Sequence, residues 1–151
     1  MIINYDRTMD TPKYIVNVEA AIFKDNKWLM ILRSSKESHA AGTISMVGGK
    51  VEFDDNSNNT LEEALKREVL EEVGVVISDK MSYVESKSFV TNLGNHVMDI
   101  VFLCEYVSGS PKANSADEVE EVSWYTLEEI KQNEKTPPWI LQSIQKAQEL
   151  L

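Results

Sequence analysis

The sequence is poor in cysteine, in positive charge and in long hydrophobic runs. Its one cysteine among 151 residues, Cys104, cannot form a disulfide within the chain, which favours a reducing compartment. Lysine and arginine together number 15 against 25 aspartates and glutamates, giving a formal charge of −10. An acidic surface repels nucleic-acid backbones and anionic membranes, so we expect neither as a partner.

No segment has the composition of a membrane span or of an export signal. The longest apolar runs, such as residues 100–104, fall far short of the ~20 residues that a spanning helix needs. Residues 1–7 lack a basic stretch followed by an apolar one, so no export signal is expected there. We therefore expect a cytoplasmic protein that does not bind membranes. The length and the 42% hydrophobic content predict one domain over residues 1–151.

The distribution of apolar residues predicts a mixed-sheet α/β domain. A turn at Asp25 and Asn26 links the first two predicted strands, and residues 92–95 link the two strands of a later hairpin. Residues 138–151 carry apolar side chains at helical spacing, which predicts a C-terminal helix. Strands followed by a helix and further strands are typical of an α/β fold. The predicted strands cover residues 14–23, 27–32, 83–91, 96–107 and 119–125, with a short apolar stretch at 43–47.

A helix is predicted between Thr60 and Gly74. Thr60 followed by Glu63 has the spacing of a capping box, so the helix should begin at Leu61. Gly74 accepts the left-handed conformation that ends a helix, so the helix should end just before it.

Two glutamates of this helix fall on its apolar side. At about 100° per residue, an apolar stripe roughly 140° wide contains Glu68 and Glu72, while Glu71 lies at its edge. A buried ionised carboxylate costs several kcal/mol unless something compensates it. The stripe consists of Leu61, Ala64, Leu65 and Val69.

The position of these glutamates indicates a bound cation. Glu68, Glu71 and Glu72 lie near the helix C-terminus, where the helix dipole disfavours anions, and they repel one another across one helical turn. Carboxylates suit Mg²⁺, Mn²⁺ or Ca²⁺, and the lack of nearby cysteine or histidine disfavours zinc. The alternative is a solvated acidic face paired with Lys66 and Arg67.

The residues around this helix resemble the Nudix box. Residues 67–75, REVLEEVGV, match its second half, and residues 48–52, GGKVE, resemble its opening, with Gly49 as the box glycine. The interval from Gly49 to Arg67 is four residues longer than in the box, and we assign the extra residues to the polar stretch 54–59. Asp55 or Asn59 then stands where the box has its first glutamate.

The resemblance implies a Nudix-type α/β/α sandwich with a mixed sheet and a loop–helix–loop box at about residues 48–76. It implies hydrolysis of the pyrophosphate bond in a nucleoside diphosphate linked to another moiety, with Mg²⁺ or Mn²⁺ as cofactor. The implied metal ligands are Glu68, Glu71, Glu72 and the Gly48 carbonyl, and Arg67 would brace the loop.

Further site residues also follow from the resemblance. Many members supply an acidic residue from a later loop shortly before a tryptophan, and Glu118, which precedes Trp124, is our candidate. It would serve as a metal ligand and, as an alternative to Glu71, as general base. Its rivals for this position are Glu120 and Glu121, and Arg33 and Lys50 are candidates for substrate contact.

Two hypotheses about function follow. The first is the hydrolase, whose catalytic residues would be Arg67, Glu71, Glu72 and Glu118. The second is a Nudix-like module that senses nucleotides or binds proteins without turnover, because the first box glutamate is altered. Family members are often dimers, so a homodimer is also implied. Aromatic side chains that could stack on a base, although aromatics in strands are more often core, are Trp28, Tyr83, Phe89 and Trp139.

Overall fold

The structure, a computed structural model, describes residues 11–151. The expectation that residues 1–7 hold no export signal therefore lies outside the described residues. Within them, no helix is both long enough and apolar enough to cross a membrane.

A seven-stranded mixed sheet forms the centre of the described chain. Five strands follow the order β3-β2-β1-β6-β5, while β4 pairs with β1 and β7 pairs with β2. The central pair, β1 and β6, is parallel, and the other pairs are antiparallel. The strands are β1 (Ile15–Lys24), β2 (Lys27–Arg33), β3 (Ile44–Ser45), β4 (Val47–Lys50), β5 (Val76–Val90), β6 (His96–Ser108) and β7 (Val119–Tyr125).

Helices cover both faces of the sheet, which confirms the predicted α/β/α arrangement with a mixed sheet. Alternate residues of β1 serve the two faces: Val18 and Ala20 pack in the layer of α1, and Ala21 packs in the layer of α2 and α3. The helices are α1 (Thr60–Val73), α2 (Leu127–Gln132) and α3 (Pro138–Gln148). The site described below lies at the α1 face, on the connection from β4 to α1.

The beginning of α1 differs from the prediction, whereas its end agrees. The helix begins at Thr60 with Asn59 as its N-cap, and no side-chain capping bond is present, so the predicted capping box is wrong. The reason is that the Thr60 hydroxyl donates back to the Ser57 carbonyl at 2.5 Å, away from the helix. Gly74 ends the helix with a φ of 69°, and its amide donates to the Leu70 carbonyl, as predicted.

The remaining elements differ from the prediction in four places, and the first is that the short stretch at residues 43–47 is divided between β3 and β4, with β4 reaching Lys50. Strand β5 begins at Val76, earlier than the predicted residue 83. Helix α2 was not predicted, although Thr126 and Glu129 form a complete capping box at its start. Helix α3 ends at Gln148 and not at the end of the chain. The turn at Asp25 and Asn26 is present, with positive φ at both residues, as a tight hairpin of this kind requires.

Candidate functional site

Two carboxylates of α1 are buried against the sheet. Glu68 is 9% exposed and Glu72 is 7% exposed, whereas the neighbouring Glu71 is exposed. This agrees with the helical-wheel prediction, in which Glu68 and Glu72 share the apolar stripe and Glu71 lies at its edge. Helix α1 therefore directs two acidic groups towards strand β4.

Of the two buried glutamates, Glu72 lies in the less favourable environment. Its Oε2 is buried and accepts no hydrogen bond from any described residue. The pKa of Glu72 is raised to about 9, because burial and the neighbouring carboxyl groups of Glu118 and Glu68 raise it, while a hydrogen bond from the Gly48 backbone opposes the shift. The geometry thus brings Glu118 within hydrogen-bonding reach of Glu72.

Glu68 lies directly against the backbone of Gly49. A Cβ atom at residue 49 would lie 2.3 Å from the Glu68 carboxyl carbon, so a side chain there would displace the carboxylate. Burial raises the pKa of Glu68, and Arg67, whose Nη1 donates to Glu68 Oε1 at 2.9 Å, acts in the opposite direction. Gly49 at the opening of the box therefore makes room for the Glu68 carboxylate.

Arg67 braces the loop that precedes the helix. Its Nε and Nη2 donate to the two carboxylate oxygens of Asp55 at 3.3 and 2.8 Å, and Nη2 also lies 3.4 Å from the Lys50 carbonyl. The hydrogen bonds from Arg67 hold the pKa of Asp55 below its usual value. Asp55 Oδ2 also accepts the Glu52 amide at 2.7 Å, which closes a turn in the loop. Asp55 thus contacts the arginine of the box, and Asn59 instead serves as the helix N-cap.

A second loop, residues 109–118, packs onto the C-terminal end of α1. The Asn114 amide donates to the Glu72 carbonyl at 2.9 Å, and the Lys112 amide donates to the Val73 carbonyl at 3.1 Å. These bonds satisfy carbonyls that a helix end leaves without partners. Gly109 allows the contact, because a Cβ there would lie 2.3 Å from the Gly74 carbonyl oxygen. Sequence reasoning missed this docking, although the glycines at both contact points were a signal for it.

The end of this loop holds Glu118 in place. Its amide donates to the Ser115 carbonyl at 2.9 Å, and its carbonyl accepts the Ser34 amide at 3.0 Å. The rival candidates Glu120 and Glu121 lie on β7, where Glu121 is opposite Leu32 in the strand register, and all three glutamates are exposed. Of the three, Glu118 is the one whose carboxyl group lies within hydrogen-bonding reach of Glu72.

The two basic candidates lie at the border of this site. Arg33 Nε donates to the His39 carbonyl at 3.1 Å, and its Nη2 lies 3.5 Å from Glu37 Oε2, so Arg33 also organises its own loop. Lys50 is exposed at the end of β4.

The third glutamate of the box helix, Glu71, is exposed, and its Oε2 is 3.5 Å from Arg67 Nη1.

The chemistry of these residues suits a hard divalent cation. Carboxylates and the nearby Gly48 backbone provide oxygen ligands, and the buried Glu72 Oε2 without a hydrogen-bond donor is an acceptor that a cation would satisfy. In residues 11–151, no three Asp, Glu, His or Cys side chains are already gathered at ligand distance. Instead, Glu68 accepts a hydrogen bond from Arg67, and Glu72 lies beside Glu118.

Comparisons with known proteins agree with this geometry. The family model for the NUDIX domain matches residues 13–146. An ADP-ribose pyrophosphatase of Methanocaldococcus jannaschii is 33% identical over 76% of this chain and 63% of its own length. The NAD-capped RNA hydrolase NudC of Vibrio cholerae is 27% identical over 82% of this chain and 42% of its own. The chain thus spans less than two thirds of the length of these curated relatives.

Solved structures show the same fold. The crystal structure of a MutT protein from Methanosarcina mazei has a TM-score of 0.72 and 29% sequence identity, and the match covers 95% of this chain and 98% of that one. The family model extends over most of the chain and includes both loops that form the site as well as α1. The chain therefore belongs to the NUDIX domain family.

Proposed function

We propose that this protein hydrolyses the pyrophosphate bond of a nucleoside diphosphate linked to a second moiety. The observation that carries the proposal is the pair of buried glutamates, Glu68 and Glu72, on the box helix, with an acceptor oxygen of Glu72 left unpaired. The names of the two curated relatives, an ADP-ribose pyrophosphatase and an NAD-capped RNA hydrolase, support this class of substrate. ADP-ribose is the first compound that we would test.

The proposed cofactor is Mg²⁺ or Mn²⁺, held by Glu68, Glu71, Glu72 and the Gly48 carbonyl, with Glu118 as a further ligand. Such an ion would neutralise the charge of the pyrophosphate and lower the pKa of the attacking water. This fits the acidity of the protein, because a net charge of −10 repels a phosphate anion unless a cation lies between them.

The side chains of the chain would perform the remaining steps. Glu118 lies beside Glu72 on a loop fixed to the helix end, which suits it to accept a proton from the attacking water. Arg67 holds the box loop through Asp55 and so keeps Gly48 and Gly49 against the glutamates. Lys50 and Arg33 would stabilise negative charge on the leaving phosphate.

The test is hydrolysis of a substrate panel with and without Mg²⁺. The panel contains ADP-ribose, nucleotide sugars, dinucleotides, coenzyme A and nucleoside triphosphates. We expect release of a nucleoside monophosphate or phosphate that requires the metal and is lost in Glu72→Gln. Tight nucleotide binding without turnover of any compound would overturn the proposal and favour the alternative, a sensing or binding module.

We further propose that the chain is a single cytoplasmic domain that forms a homodimer. Cys104 is a buried free thiol, which is compatible with a reducing compartment. Light scattering of the purified protein at several concentrations tests the dimer, and a mass equal to one chain at all of them would refute it.

A further inference from the structure

The loop of residues 109–118 connects β6 to β7 and brings Glu118 to Glu72. It is exposed over most of its length, and backbone hydrogen bonds attach it to the end of α1. One of these bonds ends on the Glu72 carbonyl, so the residue whose side chain meets Glu118 also carries the loop on its backbone. A segment with few buried contacts opens easily, so its position depends on how it is anchored.

The first anchor is the close contact of Gly109 with the turn that follows α1. The strand register pairs Ser108 with Val76, so the loop leaves β6 beside the point where the chain enters β5. A Cβ atom on residue 109 would lie 2.3 Å from the Gly74 carbonyl oxygen and 3.1 Å from the Val75 Cα. Both are backbone atoms that cannot turn aside, and the φ of 101° adds strain for any side chain at residue 109. Only glycine therefore lets the loop lie this close to the helix end.

The second anchor is the hydroxyl group of Tyr106, which donates to the Gly109 carbonyl at 2.7 Å. Tyr106 is half-buried near the end of β6, and it packs against the core layer of α1. Its ring also contacts two polar-tipped side chains: the Trp124 ring meets it edge-on with centroids 5.7 Å apart, and Lys24 Nζ lies 4.3 Å from its centroid. Because these contacts fix the ring, the hydroxyl points in one direction and holds the first residue of the loop.

Two consecutive residues of the loop, Asn114 and Ser115, bridge the helix to Glu118. The Asn114 amide donates to the Glu72 carbonyl at 2.9 Å. The Ser115 carbonyl accepts the Glu118 amide, also at 2.9 Å, and the Glu118 carbonyl in turn accepts the Ser34 amide at 3.0 Å. The separation of Glu72 and Glu118 is therefore set by a short run of backbone, as long as the loop stays on the helix end.

We propose that Tyr106 and Gly109 are positioning residues for Glu118: they hold the loop of residues 109–118 on the end of α1 and so fix the separation of Glu72 and Glu118. The catalytic importance of that separation rests on the proposed function, in which Glu118 accepts a proton beside the metal ligand Glu72. A misplacement of about 1 Å in such an arrangement can cost about 100-fold in rate. Loss of either anchor should therefore lower kcat and leave KM nearly unchanged.

Gly109→Ala tests the glycine contact, and Gly94→Ala is its matched control. Gly94 also has a positive φ, 84°, but a Cβ there meets nothing within 4 Å, so the control adds backbone strain without a clash. For ADP-ribose or the best compound of the panel, we expect Gly109→Ala to lower kcat by about 10- to 100-fold and to change KM by less than about threefold. The control should keep wild-type kcat. Wild-type kcat in Gly109→Ala would overturn the inference.

A double variant tests whether the effect is transmitted through Glu118. In the Glu118→Gln background, Gly109→Ala should lower kcat by less than about twofold, because the group that it positions is already absent. A loss as large as that in the wild-type background would indicate general damage to the fold and would contradict the positioning role.

Tyr106→Phe tests the second anchor with a smaller change. The variant keeps the ring and its contacts with Trp124 and Lys24, and it removes only the hydrogen bond to Gly109. Loss of one hydrogen bond should lower kcat by about 3- to 10-fold, again only while Glu118 is present. An unchanged kcat would remove Tyr106 from the proposal and, if Gly109→Ala does not fold, would overturn the whole of it.

Hydrogen exchange of the metal-free chain measures the anchoring without any reaction. Exchange in residues 110–118 should be at least about 10-fold faster in Gly109→Ala than in the wild type, and unchanged in Gly94→Ala. Unchanged exchange in Gly109→Ala would overturn the inference whatever the kinetics show.

Failure of this inference can be distinguished from failure of the proposed function. If the chain turns over no compound, the affinity for Mn²⁺, measured by titration calorimetry, replaces kcat in the same comparison. Gly109→Ala should then weaken Mn²⁺ binding by about 10-fold in the wild-type background and not in Glu118→Gln. This result without turnover overturns only the hydrolase. Metal-dependent turnover that Gly109→Ala does not alter overturns only the positioning role.

Discussion

The acidic residues of the site destabilise the folded chain individually. Glu72 is buried beside two other carboxyl groups, and its unpaired oxygen lacks even one donor. Groups that violate local rules of packing and charge are concentrated at functional sites, because selection there acts on chemistry. We therefore expect a neutral substitution of such a carboxylate to raise the stability of the metal-free folded chain and to lower its activity.

The stability of the metal-free protein should depend on pH through Glu72. Its pKa of about 9 in the folded chain exceeds the unfolded value, so the folded state holds the proton between these values and the unfolded state does not. The free energy of unfolding therefore falls as the pH rises from about 5 to about 9. Glu72→Gln cannot titrate there, so its melting temperature in EDTA should fall less over this range.

Thermal melts at several pH values measure this difference. Glu71→Gln is the control, because Glu71 is exposed on the same helix, and it should follow the wild type. Parallel curves for Glu72→Gln and the wild type would contradict the burial argument.

Glu118→Gln tests the proposed general base. Loss of a general base typically costs about 100-fold or more in rate, so kcat should fall by about that factor while the melting temperature changes little. The matched variant Glu121→Gln, three residues further along on β7, should keep wild-type kcat. Steady-state kinetics with ADP-ribose or the best compound of the panel decide, and an unchanged kcat in Glu118→Gln would transfer the role to Glu71.

Two loops attach to α1 and hold the site together. The box loop is tied to the helix through Asp55 and Arg67, and the loop of residues 109–118 is tied to the last carbonyls of the helix. Paired, partly buried charges of this bidentate kind fix geometry more than exposed pairs do.

Asp55→Asn should loosen the box loop. The amide cannot accept two bonds from Arg67, so we expect kcat/KM to fall by about 10-fold and proteolysis within residues 51–59 to become faster. Asp54→Asn is the matched control, because Asp54 is the exposed neighbour, and it should change neither quantity. Limited proteolysis and kinetics on both variants provide the measurement. Identical behaviour of the two variants would show that the brace is unimportant.

Sequence patterns predict elements well where the periodicity is long and poorly where contacts are distant. The strand composition of β1, β2 and β7 and the apolar stripe of α1 were sufficient to place these elements. The start of β5 was missed because residues 78–80, a polar stretch, coincide with register shifts that interrupt the alternation. The short α2 was missed although its capping box is visible in the sequence.

The same contrast holds for the candidate site. Glu68 and Glu72 follow from the periodicity of one helix, whereas the contact of Glu118 with Glu72 depends on a loop that docks through backbone bonds. The available signal was the pair of glycines, Gly74 and Gly109, at the two contact points.

The whole molecule is acidic, and its stability should respond to divalent cations. A ligand that binds only the folded state at 100 times its Kd adds about 2.7 kcal/mol, which for a chain of this size corresponds to roughly 5–10 °C in melting temperature. We expect Mg²⁺ or Mn²⁺ to raise the melting temperature by about this amount, because each relieves repulsion among Glu68, Glu72 and Glu118.

Differential scanning fluorimetry at constant ionic strength measures the effect. NaCl at matched ionic strength is the control for charge screening. The double variant Glu68→Gln/Glu72→Gln should show no shift with either metal. A shift of equal size in this variant would place the ion elsewhere.

The parallel pairing of β1 with β6 has a consequence for biosynthesis. Parallel neighbours cannot be joined by a short turn, so the box, α1 and β5 all lie in the long connection between the two central strands. A nascent chain can pair β1 with β2 and β4 before β6 is synthesised, but the sheet beside β1 stays incomplete until β6 follows. Glu118 lies beyond β6 in the chain, so its contact with Glu72 forms last, and a product truncated before β6 would lack that contact even though its Nudix motif is intact.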